Sequence, residues 1–374
     1  MIECADFYNI LIQKDISFFT GVPDSLLKDI CGYINDHTSD NQHMIAPNEG
    51  GAIALAAGYH LSTGKVPLVY LQNSGLGNTV NPLVSLADPE VYGIPMLLMI
   101  GWRGQPGTHD EPQHVKQGKI TQTLIETLGI DCQIIPESPD KLEECIDRLL
   151  TISINKCTPA ALIVPKGIFG TYKVKKEIND ASCLTREDAI KKIVSMLDAQ
   201  DIVVSTTGKT SRELYEFRET VDKGHSRDFL NVGSMGHASL IAAGIAINKK
   251  ELQVFCLDGD GAALMHLGAF AAIGTLKLPN FKHIILNNGV HDSVGGQPTA
   301  GRNVSFDNIA LHCGYRSAFT ADTEESIIER ISELKKAEGP ALLEIKIKEG
   351  SRKDLGRPKE SLADLKKAFM DFIK

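Results

Sequence analysis

The sequence predicts an α/β protein of two doubly wound parallel-sheet domains, with no middle domain. Three observations lead there. The 374 residues suit two domains at the usual scale of about 100 to 200 residues each. Short apolar runs ending in Gly, Pro or Asn alternate with longer amphipathic segments, the pattern of parallel strands joined by helical crossovers. Near the middle, residues 171–183 (TYKVKKEINDASC) lose that pattern and read as a linker. A first domain over 1–170 and a second over 184–374 follow.

In the first half the predicted strands are ISFFTGVP, PLVYLQN, PMLLMIGW, CQIIP and AALIVP. Each is a short, mainly apolar run ending at a turn-forming residue. The second half supplies DIVVSTTG, DFLNVG, LQVFCLDGD, FKHIILNNG and PALLEIKI. An internal comparison at a constant offset of 186 sets residues 49–77 against 235–263 with seven identities, among them AAG at 56–58 and 242–244. Ala and Gly are common, so the identities alone are weak. The differences say more: Glu49 faces Met235 and Ser74 faces Asp260, so two similar scaffolds would carry different chemistry.

Composition excludes several classes. Hydrophobic residues at 43% and charged residues at 23% fit a folded globular protein. A net charge of -8 offers no basic stripe for nucleic acid, though it leaves room for a small anionic substrate. No run approaches the ~20 apolar residues of a membrane span. The eight cysteines form no CxxC pair, and MIECADFYNI has the look of neither a secretory signal nor a presequence. A cytoplasmic protein with neither nucleic-acid nor membrane partners is expected.

The strongest local signal is LDGDGAAL at 257–264, with 25 residues between Gly261 and Asn287 of IILNNGVHDS. Both pieces follow predicted strands, where open parallel sheets bind ligands and where glycines admit phosphate oxygens to backbone N–H groups. Asp260 and Asn288 add hard oxygen donors of the kind Mg²⁺ takes beside phosphate and water. The parts suit a metal-bridged diphosphate. A dinucleotide site fits less well, because neither GDGAAL nor GLGNTV completes GxGxxG.

GDG, this gap and NN are similar to the signature of the thiamine diphosphate enzymes. The resemblance implies thiamine diphosphate and Mg²⁺ as cofactors, with metal ligands from the side chains of Asp260 and Asn288 and the carbonyl of Val290. Gly259, Asp260, Gly261, Ala262 and Asn288 would line the diphosphate. Glu49, in APNEGGAIALAAGY, resembles the glutamate that hydrogen-bonds the cofactor's pyrimidine, and QNSGLGNTVNPLVSL resembles the turn that follows it. Ser234 and Met235, in NVGSMGHASL, resemble the segment that supports the bent cofactor. Thr207 and Gly208 resemble a further turn touching it. The alternative reading of Met235 is a core methionine, and that of Glu49 an acid complementing a helix N-terminus.

With no space for a middle domain, the chain resembles the two-domain phosphonopyruvate decarboxylases and the sulfopyruvate decarboxylases. GVPDSLL, RGQPGTHDEPQHVKQG, NNGVHDSVGGQPT and GSRKDLGRP carry that likeness. It implies a pyrimidine-binding domain over 1–170, a diphosphate-binding domain over 184–374, and non-oxidative decarboxylation of 3-phosphonopyruvate to phosphonoacetaldehyde and CO₂. The alternatives are sulfopyruvate as substrate or, on the same kind of sheet, a nicotinamide-dependent oxidoreductase. A phosphonate needs cations, hydroxyls and backbone donors. Ser25, His114, Arg352 and Arg357 are the candidates, His114 also as a proton relay and the two arginines on a segment able to fold over the site. Ser25 reads equally as a helix cap, His114 as a loop residue and the arginines as solvated charge; His109 and His291 are weaker candidates. The resemblance further implies a homodimer or larger assembly with active sites at subunit interfaces.

Overall fold

The computed structural model describes residues 1–175, 184–222 and 224–374. The chain divides into two units, Met1–Ile178 and Asn179–Lys374. Residues 176–183 of the expected linker lie outside the described residues. The first unit holds β1 (Phe19–Gly21), β2 (His43–Ile45), β3 (Leu68–Gln72), β4 (Leu97–Gly101), β5 (Asp131–Ile134) and β6 (Ala160–Val164). The second holds β7 (Ile202–Ser205), β8 (Asp228–Leu230), β9 (Val254–Gly259), β10 (Phe281–Asn287), β11 (Ser317–Ala321) and β12 (Ala341–Lys346).

The strands of each unit form one six-stranded sheet, in the orders β2-β1-β3-β4-β6-β5 and β8-β7-β9-β10-β12-β11, and every pairing is parallel. The two orders are the same once the second set is counted from its own first strand. Leu68 and Val254, which open β3 and β9, stand 186 positions apart, and the helices Glu49–Thr63 and Ala238–Asn248 precede them. The weak internal repeat therefore marks a shared topology.

Helices cover both faces, which is why the central strands are largely apolar, although β9 and β10 carry buried Asp258, Lys282 and His283. In β3, Leu68 and Tyr70 join one buried cluster and Val69 and Leu71 the other. In β9, Phe255 and Leu257 point one way, Val254 and Cys256 the other. The crossovers begin on local signals. Asn48 caps Glu49–Thr63 by accepting from the Gly51 N–H at 2.8 Å, and Thr185 and Asp188 form a reciprocal capping box at Arg186–Ser195. Two strands, β2 and β11, are absent from the sequence prediction. β2 reads HMI and β11 SAFTA, edge strands that are mostly half-buried and mix polar or small residues with apolar ones, so neither shows the apolar run that marks β3, β4 or β6. Between β1 and β3 the strand order reverses, as it does between β7 and β9. The loops at the carboxyl ends of those strands form the crevice where this architecture binds ligands. Among the described residues, no helix is long and apolar enough to cross a membrane.

Candidate active site

In the first unit Glu49 opens the helix after β2 and is only 6% exposed. The segment after β3 closes on it. Asn78 Nδ2 donates to Glu49 Oε2 at 2.7 Å, and a methyl group on Gly75 would sit 2.3 Å from Oε1, so only glycine leaves the carboxyl its place. Burial raises the Glu49 pKa, and the Asn78 bond opposes the shift. The result is a desolvated carboxyl with one oxygen engaged and a tendency to keep a proton.

Ser25, after β1, is not a helix cap. Its hydroxyl accepts from Arg103 Nη1 at 2.7 Å, and Arg103 follows β4. Arg103 also donates through Nε to Asp110 Oδ2 at 2.8 Å, while Asn73 brackets its backbone with bonds of 3.1 and 2.8 Å. Burial works against the charge of Asp110. Arg103 and the N–H groups of Glu111 and Gly104 prevail and hold its carboxyl well below the usual range. His114 lies inside the helix Pro112–Thr127 instead of a loop. Its Nδ1 is buried without a hydrogen-bond partner, and burial, then the Arg103 charge, lowers its pKa. Arg103 thus bonds Ser25 and acts electrostatically on His114, a role that no sequence pattern marks.

In the second unit the loops after β7, β8, β9 and β10 carry the remaining candidates. Asp260 opens the helix Asp260–Met265 and is 2% exposed. Burial pushes its carboxyl up to about 6 against bonds from Thr299 and from the N–H groups of Asp260, Asn288 and Gly261. The Thr299 hydroxyl donates to Oδ2, and a methyl on Gly301 would lie 2.3 Å from the same oxygen. Asn288 Oδ1 accepts from the Val290 N–H at 3.2 Å, and the Val290 carbonyl from the Asp292 N–H at 3.0 Å. Carboxylate, amide oxygen and carbonyl make a hard donor set, which fits Mg²⁺.

Backbone turns complete this edge. Gly208 has φ 91°, where an added methyl would also meet Ser293 Oγ at 3.0 Å. Thr207 precedes it and is half-buried. Ser234 is exposed at φ 53°, in the left-handed region that disfavours side chains, and its hydroxyl lies 3.1 Å from His237 Nδ1. Met235 is half-buried and so is not a core methionine. A methyl on Gly261 would lie 3.0 Å from His291 Cε1, and burial pushes the His291 pKa down to about 4. Small residues and bare turns where a diphosphate would pass fit that group sterically.

The C-terminal segment is held by carboxylates. Arg352 donates to Glu187 at 3.0 Å and pairs with Glu216, and the Gly356 N–H donates to Glu216 at 2.5 Å. Residues 356–360 therefore follow the helix Lys209–Val221. Arg357 is exposed on the same stretch. Sequence reasoning also overlooked Gly75, Asn78, Thr299 and Gly301. Gly75, Asn78 and Thr299 lay inside quoted motifs, but no spacing rule ties them to a carboxylate.

Residues 5–125 match the family model described as thiamine pyrophosphate enzyme, N-terminal TPP binding domain, and residues 206–345 match its C-terminal TPP binding domain. The phosphonopyruvate decarboxylase of Streptomyces viridochromogenes is 33% identical over 100% of this chain and 95% of its own length. That of Streptomyces hygroscopicus is 34% identical, over 100% and 94%. The chain belongs to the phosphonopyruvate decarboxylase family. As a member it is a thiamine diphosphate-dependent 2-oxo acid decarboxylase, a carboxy-lyase, built without a middle domain. The sulfopyruvate decarboxylase of Methanosarcina acetivorans is a further relative of this family, 27% identical over 91% of this chain and 90% of that protein.

Proposed function

We propose that this protein uses thiamine diphosphate and Mg²⁺ to decarboxylate 3-phosphonopyruvate, without oxidation, to phosphonoacetaldehyde and CO₂. One observation carries the choice of substrate: whole-length identity of 33% and 34% to two phosphonopyruvate decarboxylases, against 27% to a sulfopyruvate decarboxylase. Residues 1–170 are assigned to pyrimidine binding and 184–374 to diphosphate binding. When bound, the cofactor supplies a cationic ring that takes up the electron pair released as CO₂ leaves.

The chain's own residues then have distinct tasks. Glu49, desolvated and steadied by Asn78, holds a proton against the cofactor's pyrimidine nitrogen. Asp260, Asn288 and the Val290 carbonyl hold the metal. Thr207, Gly208, Ser234, Met235, Gly259, Gly261 and Ala262 contact the cofactor. Ser25 and His114 receive the anionic substrate, and His114 Nδ1, buried and unpartnered, is assigned the return of the product's proton. Arg352 and Arg357 complete the proposed substrate contacts, but Arg352 is already neutralised by Glu187 and Glu216. Its contact requires the C-terminal segment to detach. We further propose cytoplasmic homodimers or larger assemblies, with active sites at subunit interfaces.

The test is direct. Purified protein is incubated with thiamine diphosphate, Mg²⁺ and either phosphonopyruvate or sulfopyruvate, and the aldehyde is measured. Phosphonoacetaldehyde is expected; preferred turnover of sulfopyruvate would overturn the substrate, and no aldehyde from either would overturn the activity. Chelation followed by gel filtration should abolish turnover until Mg²⁺ and cofactor return. Full activity in metal-free protein would remove the metal from the proposal.

A further inference from the structure

Asp292, in the loop after β10, is gripped from two sides. Arg186 Nη1 donates to its Oδ2 at 2.9 Å. Lys209 Nζ donates to its carbonyl at 3.0 Å and lies 3.5 Å from Oδ2. Arg186 is itself fixed, because its Nε and Nη2 donate to Glu213 at 2.8 and 3.0 Å. With side chains only 7% and 1% exposed, Arg186 and Glu213 form a buried ion pair of low mobility. Burial alone would make that pair an expensive feature. Its free guanidinium nitrogen ends on one residue, Asp292, so the pair has a target outside its own packing.

What Asp292 sits between gives that target meaning. Its own N–H donates to the Val290 carbonyl at 3.0 Å, the atom assigned to the metal. The preceding residue, His291, stands beside Gly261 of the diphosphate turn, its Cε1 3.0 Å from where a Cβ on that glycine would lie. The following residue, Ser293, places its hydroxyl 3.0 Å from where a Cβ on Gly208 would lie. A shift of Asp292 would therefore move the Val290 carbonyl and both glycine contacts together.

We infer that Arg186 and Lys209 are positioning residues that hold the Val290–Ser293 loop, and with it a metal-ligating carbonyl, in place for Mg²⁺ and thiamine diphosphate. The inference rests on the cofactor assignment proposed above. Groups just behind metal ligands fix ligand orientation, and their loss typically costs about 10- to 100-fold in metal affinity.

The decisive variant is Lys209→Met. The Lys209 side chain is 20% exposed, so its removal leaves the buried Arg186–Glu213 pair and the fold intact. Equilibrium dialysis of thiamine diphosphate against the full-length protein, over a Mg²⁺ titration, reads binding without reference to turnover. Lys209→Met and Asp292→Asn should each weaken Mg²⁺-supported binding by about tenfold or more, and Lys209→Arg should recover most of it. Thermal melting separates this from a merely structural role, which would lower the melting temperature and leave binding unchanged. Unchanged binding in folded Lys209→Met protein overturns the inference. Failure of the wild-type protein to bind thiamine diphosphate at all would instead overturn the cofactor assignment beneath it.

Discussion

A carboxyl group acts according to what surrounds it, and the two central carboxyls here are surrounded differently. Glu49 keeps one bond from Asn78 and a close glycine wall. Asp260 gathers a hydroxyl and several N–H groups. Burial raises both carboxyls; the first, against the neutral Asn78 amide, suits proton sharing, and the second, bonded to the Asn288 N–H beside the Val290 carbonyl, suits a cation. Glu49→Gln should therefore slow exchange of the cofactor C2 proton, followed by NMR, far more than it weakens cofactor binding; equal loss of both would place Glu49 elsewhere in the mechanism. Gly75→Ala is the sharper test of geometry. Its methyl would stand 2.3 Å from Glu49 Oε1, so the carboxyl must move. Displacements on the scale of an ångström can cost about 100-fold in rate, and a loss of that order is expected without a comparable loss of cofactor binding. An unperturbed rate in Gly75→Ala would show that the carboxyl tolerates displacement.

At the level of elements, the edge strand β2 is tied down across a neighbour. His43 Nε2 lies 2.7 Å from the hydroxyl of Tyr70 on β3, although β1 runs between the two strands. The ring passes because Gly21 of β1 has no side chain: a methyl there would lie 2.5 Å from Tyr70 Cδ2 and 2.0 Å from its carbonyl. Burial holds His43 at about 4, below its ordinary 6.5. The folded state thus keeps the imidazole neutral. Its contribution to stability is complete above 6.5 and is lost as the pH falls from there towards 4. Melting temperatures measured across that window should fall less steeply in His43→Gln than in wild type. An identical slope would show that other groups set acid stability. Gly21→Ala should destabilise by roughly 1–3 kcal/mol, the usual cost of overpacking, measured by denaturant unfolding.

For the whole molecule, the two units carry one topology and divided chemistry: Glu49 belongs to the first and Asp260 to the second. The proposal of sites at subunit interfaces makes a quantitative prediction. Glu49→Ala and Asp260→Ala proteins, each inactive, are dissociated, mixed equally and reassociated. If the two residues serve one site from different subunits, half the dimers are mixed and each holds one intact site. Activity should then return to about 25% of wild type. If both residues serve a site from one chain, every site keeps a lesion. No recovery in dimers shown to have exchanged would exclude the shared arrangement.

The sequence by itself determined what local pattern can encode. Apolar runs located ten of the twelve strands among the described residues, because strands covered on both faces, such as β3, β4 and β6, must be largely apolar. GDG followed at a fixed interval by NN points to a metal-bridged diphosphate, because glycine turns and hard oxygen donors follow those strands; Glu49 is singled out by its resemblance to the glutamate of the thiamine diphosphate enzymes. Tertiary structure alone decided the remainder. Asn78 meets Glu49 across 29 positions, Thr299 meets Asp260 across 39, and Arg186 meets Asp292 across 106. No periodicity links such pairs; the path of the backbone brings them together. Arg352 gives the converse case. In sequence it is an available cation on a Gly-containing segment, but in the fold Glu187 and Glu216 already engage it. A side chain's charge is written in the chain, while the partners that spend or spare it are fixed by folding.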